Sequence, residues 1–132
     1  MARLKLLLDT HIWLWSLHDE KRLGRRVLRE LGDAGNELWL SPVSTWEALL
    51  LHRKGKIELP VNLSDWLARA VSRFSEAPLT HEIALAAHAL TYLHSDPADR
   101  FLAATAQVLE LTLVTADERL LGIAEVRTMG NR

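Results

Sequence analysis

The 132 residues, 48% hydrophobic and 25% charged, exclude a disordered polymer and supply apolar mass for one core but hardly for two. Sixteen basic against seventeen acidic residues leave a net charge of −1, which argues against a protein held to nucleic acid or membrane by bulk charge. Without cysteine there is no disulfide framework and no thiolate zinc site, and a cytoplasmic location fits.

The N-terminal run MARLKLLLDTHIWLWSL has the basic-then-apolar order of a signal sequence. Asp9, Thr10 and His11 interrupt it, however, no small-residue cleavage site follows, and no stretch nears the ~20 apolar residues of a membrane span. It reads as a buried strand, LKLLL at 4–8, running into a helix. Trp13 and Trp15 are two apart, so a helix cannot put both on one face: one is expected in the core and the other open to a partner. From Leu23 the pattern is helical, with Leu23, Val27, Leu28 and Leu31 on one face and Gly32 and Gly35 as stops. ELWL (37–40) is a second strand. Ser41-Pro42 then caps a helix to about Lys54, stopped by Gly55. Leu63, Trp66, Leu67, Ala70, Val71 and Phe74 mark another helix, and Trp39, Trp46 and Trp66 fit the core pattern. Helices over 81–93 and 97–110 follow, then the strand LTLVT (111–115). No repeat or linker divides this alternation, so one domain over 1–132 is expected, an α/β fold with a mostly parallel sheet of four or five strands.

That topology gathers acids. Ligands of such sheets bind beyond the carboxyl ends of the strands. Asp9 follows the first strand, Glu47 lies early in the helix after ELWL, and Asp117 lies just past LTLVT. The helix from 97 leads into LTLVT through a short loop, so its N-terminus, with Asp96 and Asp99, returns to the same edge. Each acid has a local use as well: Asp96 as N-cap, Asp99 in a capping box, Asp117 and Asp9 as helix starts, Glu47 on a polar face. Clustered carboxylates repel one another, and a hard divalent cation removes that cost. The chemistry that follows is metal-assisted phosphodiester hydrolysis, with an ion activating water and offsetting charge on the phosphoryl group.

LLLDTHIWLW, SPVSTWEALLLHRKGKIELP, HSDPADRFLAATA and LTLVTADERLL resemble, in order and spacing, the blocks of PIN-domain proteins, and most of all VapC-type toxins of bacterial toxin–antitoxin pairs. The resemblance covers nearly the whole chain. It implies a three-layer α/β/α fold and a ribonuclease using Mg²⁺ or Mn²⁺. Asp9, Glu47, Asp99 and Asp117 match the family's acidic quartet, with Asp96 as an accessory acid. Ala98 departs from the aromatic often found there in one branch, which bears on packing beside the site. By the same resemblance the partners are RNA, a cognate antitoxin laid into a groove near the active site, and a second copy of the toxin.

Around the quartet, Thr10 and Ser44 carry hydroxyls able to position water or metal, or to cap, and Thr115 supports the cluster from behind. His11 and His94 are expected to orient or pack. Arg22, Arg25, Arg26 and Arg29, and Arg53, Lys54 and Lys56, are solvated faces or RNA-backbone contacts. Arg100 is placed to neutralise a carboxylate or touch the scissile strand. Two rivals stand beside the nuclease: a phosphatase with Asp9 as nucleophile, though His11 stands where its second acid belongs, and a catalytically silent binding module.

Overall fold

Three consecutive leucines leave a strand no polar side to show to water, so it must be covered on both faces. In the computed structural model, which describes residues 3–90 and 96–132, that strand is the centre of the sheet. The strands are β1 (Lys5–Leu8), β2 (Glu37–Leu40), β3 (Ser75–Glu76), β4 (Thr112–Thr115) and β5 (Thr128–Gly130), ordered β3-β2-β1-β4-β5 and all parallel. β1 pairs Leu6 with Leu38 on one side and with Thr112 on the other.

The pleat sends alternate side chains to two cores. Leu6, Leu8, Leu38, Leu40 and Val114 face one, under α1 (Thr10–His18), α2 (Arg25–Gly32), α3 (Pro42–Arg53) and α4 (Leu63–Ala70). Leu7 and Leu113 face the other, under α5 (His81–Ala89), α6 (Pro97–Leu109) and α7 (Glu118–Leu121). The result is the expected three-layer α/β/α architecture. Among the described residues no helix is long and apolar enough to cross a membrane.

Caps set the helix starts as the sequence predicts. Ser41 Oγ accepts from Val43 N at 3.0 Å with Pro42 behind it, and Asp96 Oδ1 accepts from Ala98 N at 3.0 Å with Pro97 behind it. Gly55, at φ +74°, takes the left-handed conformation that ends α3.

Several boundaries and exposures differ from expectation. Leu23 precedes α2, which begins only at Arg25, and Leu28 is 37% exposed because Val27 and Leu31 form the inward stripe. Trp46 is 59% exposed: Ser44 and Ala48 point inward from α3, and a residue midway between i and i+4 points out. Trp39 is half-buried, its Nε1 donating to Glu37 Oε1 at 3.1 Å. α4 stops at Ala70, short of Phe74, and α5 at Ala89, with Leu90 extended; positions 91–93 of the helix expected there lie outside the described residues. Of the paired tryptophans, Trp13 is the core residue, donating Nε1–H to the Ala70 carbonyl at 3.1 Å, and Trp15 is the more exposed.

Candidate active site

β1 and β4 lie side by side, and the chain leaves them toward opposite edges of the sheet, so a crevice opens beyond their carboxyl ends. Asp9 stands at its floor. Its N–H donates to the Val114 carbonyl at 2.9 Å, extending the β1–β4 ladder by one bond and fixing the backbone. As N-cap of α1, its Oδ1 accepts from Thr10 N at 2.7 Å, while Oδ2 accepts from Thr115 Oγ1 at 2.6 Å. The same Thr115 oxygen accepts from Asp117 N at 3.0 Å. A buried threonine therefore ties the acid after β1 to the acid after β4.

The other acids arrive on helices. Glu47 accepts a hydrogen bond from the Thr10 hydroxyl, whose oxygen is also 3.1 Å from Ser44 Oγ, so α1 and α3 meet through a polar contact. Asp99, third residue of α6, is 8% exposed. Asp117 caps α7 through Arg119 N at 2.9 Å, and the Arg119 side chain closes on its carboxylate at 3.2 and 3.0 Å.

Asp9, Glu47, Asp96, Asp99 and Asp117 all line one pocket of about 300 Å³, shared with Thr10, His11, Trp15, Ala116 and Arg119. The four expected acids are thus brought together, with Asp96 beside them. Their proximity is written in their protonation. Burial, followed by the charges of Asp96, Asp9, Asp117 and Glu47, raises the Asp99 carboxyl from 3.8 to about 7. Burial also raises Asp9, against the hydrogen bonds from Thr115 and Thr10 that pull it down. Glu47 rises through burial and the neighbouring Asp9 and Asp96, opposed by its bond from Thr10.

Such a donor set suits a hard divalent cation: oxygen ligands only, carrying repulsion that an ion would relieve. The carboxylates are nevertheless held by local bonds, and among the described residues no three His, Asp or Glu side chains already converge as a metal-binding group. An ion there would compete with the Thr10 bond to Glu47 and the Arg119 pair on Asp117.

The accessory residues divide. Thr10 bonds Ser44 and Glu47, and Thr115 bonds Asp9 from behind the cluster. Arg100 does something the sequence did not suggest: its Nη2 donates to the carbonyls of Ala87, Leu90 and His88 at 2.7, 3.3 and 3.4 Å, clamping the end of α5 to α6. His94 lies outside the described residues. Arg25, Arg26 and Arg29, like Arg53, Lys54 and Lys56, are exposed. Arg119 is a pocket member that sequence spacing does not reveal, the only hint being a cation two residues after a capping acid. Beside the acids runs a larger groove of about 710 Å³, lined by Trp46, Leu50, Leu79, Ala98 and Phe101 and joined to the acidic pocket through Thr10, His11, Glu47 and Asp96.

Sheet order and pocket define a three-layer α/β/α protein with an anionic crevice at its topological switch point. Residues 6–126 match the family model of the PIN domain, and the chain belongs to that family. It is 31% identical over 116 residues to Ribonuclease VapC22 of Mycobacterium tuberculosis (strain ATCC 25618 / H37Rv), covering 87% of this chain and 88% of that protein. The crystal structure of DNA-bound VapBC from Salmonella typhimurium shares the fold, with TM-score 0.74 and 17% identity over 98% of this chain and 99% of that one. FitAcB from Neisseria gonorrhoeae gives TM-score 0.66 and 25% identity over 96% and 97%.

Proposed function

We propose that this chain is the ribonuclease toxin of a toxin–antitoxin pair, hydrolysing RNA phosphodiester bonds with Mg²⁺ or Mn²⁺. The observation that carries the reading is the convergence of Asp9, Glu47, Asp99 and Asp117, from four separate parts of the chain, on one pocket at the β1/β4 crevice. Kinship with Ribonuclease VapC22 supports the substrate class.

In this reading Asp9, Glu47, Asp99 and Asp117 would hold the divalent ion, which when bound would supply an activated water and charge neutralisation at the phosphoryl group. Asp9 is the fixed member, because both its oxygens are already oriented by Thr10 N and Thr115 Oγ1. Thr115 sets the spacing between Asp9 and Asp117, and the Thr10–Ser44 pair sets the position of Glu47. Asp96 adds negative charge at the rim while capping α6. Arg119 pairs with Asp117 at 3.0 Å and so offsets part of the pocket's negative charge.

The solved toxin–antitoxin complexes of the same fold, one of them from Klebsiella pneumoniae, support an antitoxin as protein partner. The apolar groove beside the acids, with Trp46 exposed in it, is the surface that fits such a partner. Self-association into a homodimer and a cytoplasmic location, with the whole chain as one domain, complete the reading.

The test is cleavage of purified RNA by wild type and Asp9→Asn with Mg²⁺, Mn²⁺ or excess EDTA. Wild type should cut only with metal, and Asp9→Asn should not cut while keeping its circular dichroism. Undiminished cleavage by the variant, or in EDTA, refutes the proposal.

A further inference from the structure

Trp15 lies two residues past the fully buried Trp13 on α1 and so turns away from the sheet. Its ring forms part of the wall of the acid-lined pocket, alongside Asp9, Asp117 and Arg119. One helical turn earlier, the exposed His11 ring leans on it, with centroids 5.8 Å apart and planes inclined by 32°. His11 lines the same pocket. From the short 3₁₀ turn Glu20–Arg22, the Arg22 guanidinium lies 4.5 Å from the Trp15 ring centroid. Two aromatic rings thus line the carboxylate pocket, and a cation lies over one of them.

A polyanion entering that pocket meets Asp9, Glu47, Asp96, Asp99 and Asp117, and a chain of net charge −1 does little to draw it in. Attraction that does not depend on charge adds to whatever a cation held by the acids, and Arg119 beside them, would supply. Stacking of a nucleobase on an aromatic ring is such an attraction, and it tolerates any base because every base has a π face. A base inside a duplex already has both faces covered by its neighbours, whereas an unpaired base has them to offer.

We propose that the His11–Trp15 pair is a stacking platform for a nucleobase adjoining the scissile phosphate, with Arg22 supplying positive charge against the Trp15 ring. The inference rests on the nuclease reading above. It makes Trp15 and His11 substrate-binding residues and gives the outward tryptophan of α1 its partner.

Binding is measured on Asp9→Asn protein, which should hold RNA without cutting it. The probes are labelled single-stranded RNA, duplex RNA, and single strands with one abasic nucleotide at successive positions. On that background Trp15→Leu should weaken single-strand binding about tenfold or more, and Trp15→Phe much less. Duplex RNA should bind poorly to all variants. One abasic position should cost the Trp15 protein a similar factor and the Trp15→Leu protein little, a coupling that a merely structural tryptophan does not produce. His11→Ala, at an exposed position, is the second variant and should cost a smaller factor in the same assay. A flat abasic scan, or single-strand binding unchanged by both substitutions, overturns the stacking platform. If wild type still cleaves RNA with Mn²⁺ in that case, the nuclease reading stands. Absence of both RNA binding and cleavage removes both.

Discussion

Replacing Asp99 by asparagine keeps the side chain's shape and removes a charge the fold does not favour. Its carboxyl is raised from 3.8 to about 7 by burial and by Asp96, Asp9, Asp117 and Glu47. Between those values the folded protein holds a proton that the unfolded chain has released, so stability falls as pH rises through about 4 to 7 and stays low above. At about 1.36 kcal/mol per unit, a shift of about three units sets a ceiling near 4 kcal/mol. The pocket opens to solvent, so about 2 kcal/mol is the realistic share. For a chain of this length each kcal/mol moves the melting temperature by about 3–4 °C. Metal-free Asp99→Asn should therefore melt about 6–8 °C above wild type at pH 8, with the gain vanishing near pH 4. Mn²⁺ should raise the melting temperature of wild type and raise it far less in the variant, since one ligand is gone. Differential scanning fluorimetry across pH, with and without Mn²⁺, reads all of this. A variant that melts at or below wild type at pH 8 would show that burial and the neighbouring acids do not penalise the Asp99 charge.

Thr115→Val removes the bond to Asp9 Oδ2 and the acceptor for Asp117 N while preserving shape. RNA cleavage should fall by about 10–100-fold, with Thr115→Ser restoring most of it; unchanged cleavage by the valine protein would deny Thr115 its positioning role. Gly24→Ala puts a Cβ 1.8 Å from the Arg132 carbonyl carbon, which forces the last residues off α2. Stability should drop by about 1–3 kcal/mol in urea unfolding. Hydrogen exchange should quicken at the Arg26 amide, bonded to Arg132 O at 2.8 Å; an unaltered midpoint and exchange rate would contradict the close approach.

What the chain itself announces is local and periodic. LKLLL declares a strand covered on both faces, Ser41-Pro42 and Asp96-Pro97 declare helix starts, and strands separated by helices place the candidate acids at one edge of a parallel sheet. These features need no knowledge of distant contacts, because caps and hydrophobic periods act over a few residues. β3 and β5, two and three residues long, carry too few positions to show any period; they are strands only because β2 and β4 offer them an edge. The same limit hides which face of α3 is wet, and so leaves Trp46 looking like core until Ser44 and Ala48 are seen to point inward. The site's working contacts are likewise long-range: Thr115 reaches Asp9 across 106 positions, and Thr10 reaches Glu47 across 37. Acid identity and order are properties of the sequence. Which hydroxyl holds which acid, and that His11 and Trp15 line the pocket with Arg22 against the Trp15 ring, depend on packing angles that only the folded chain possesses.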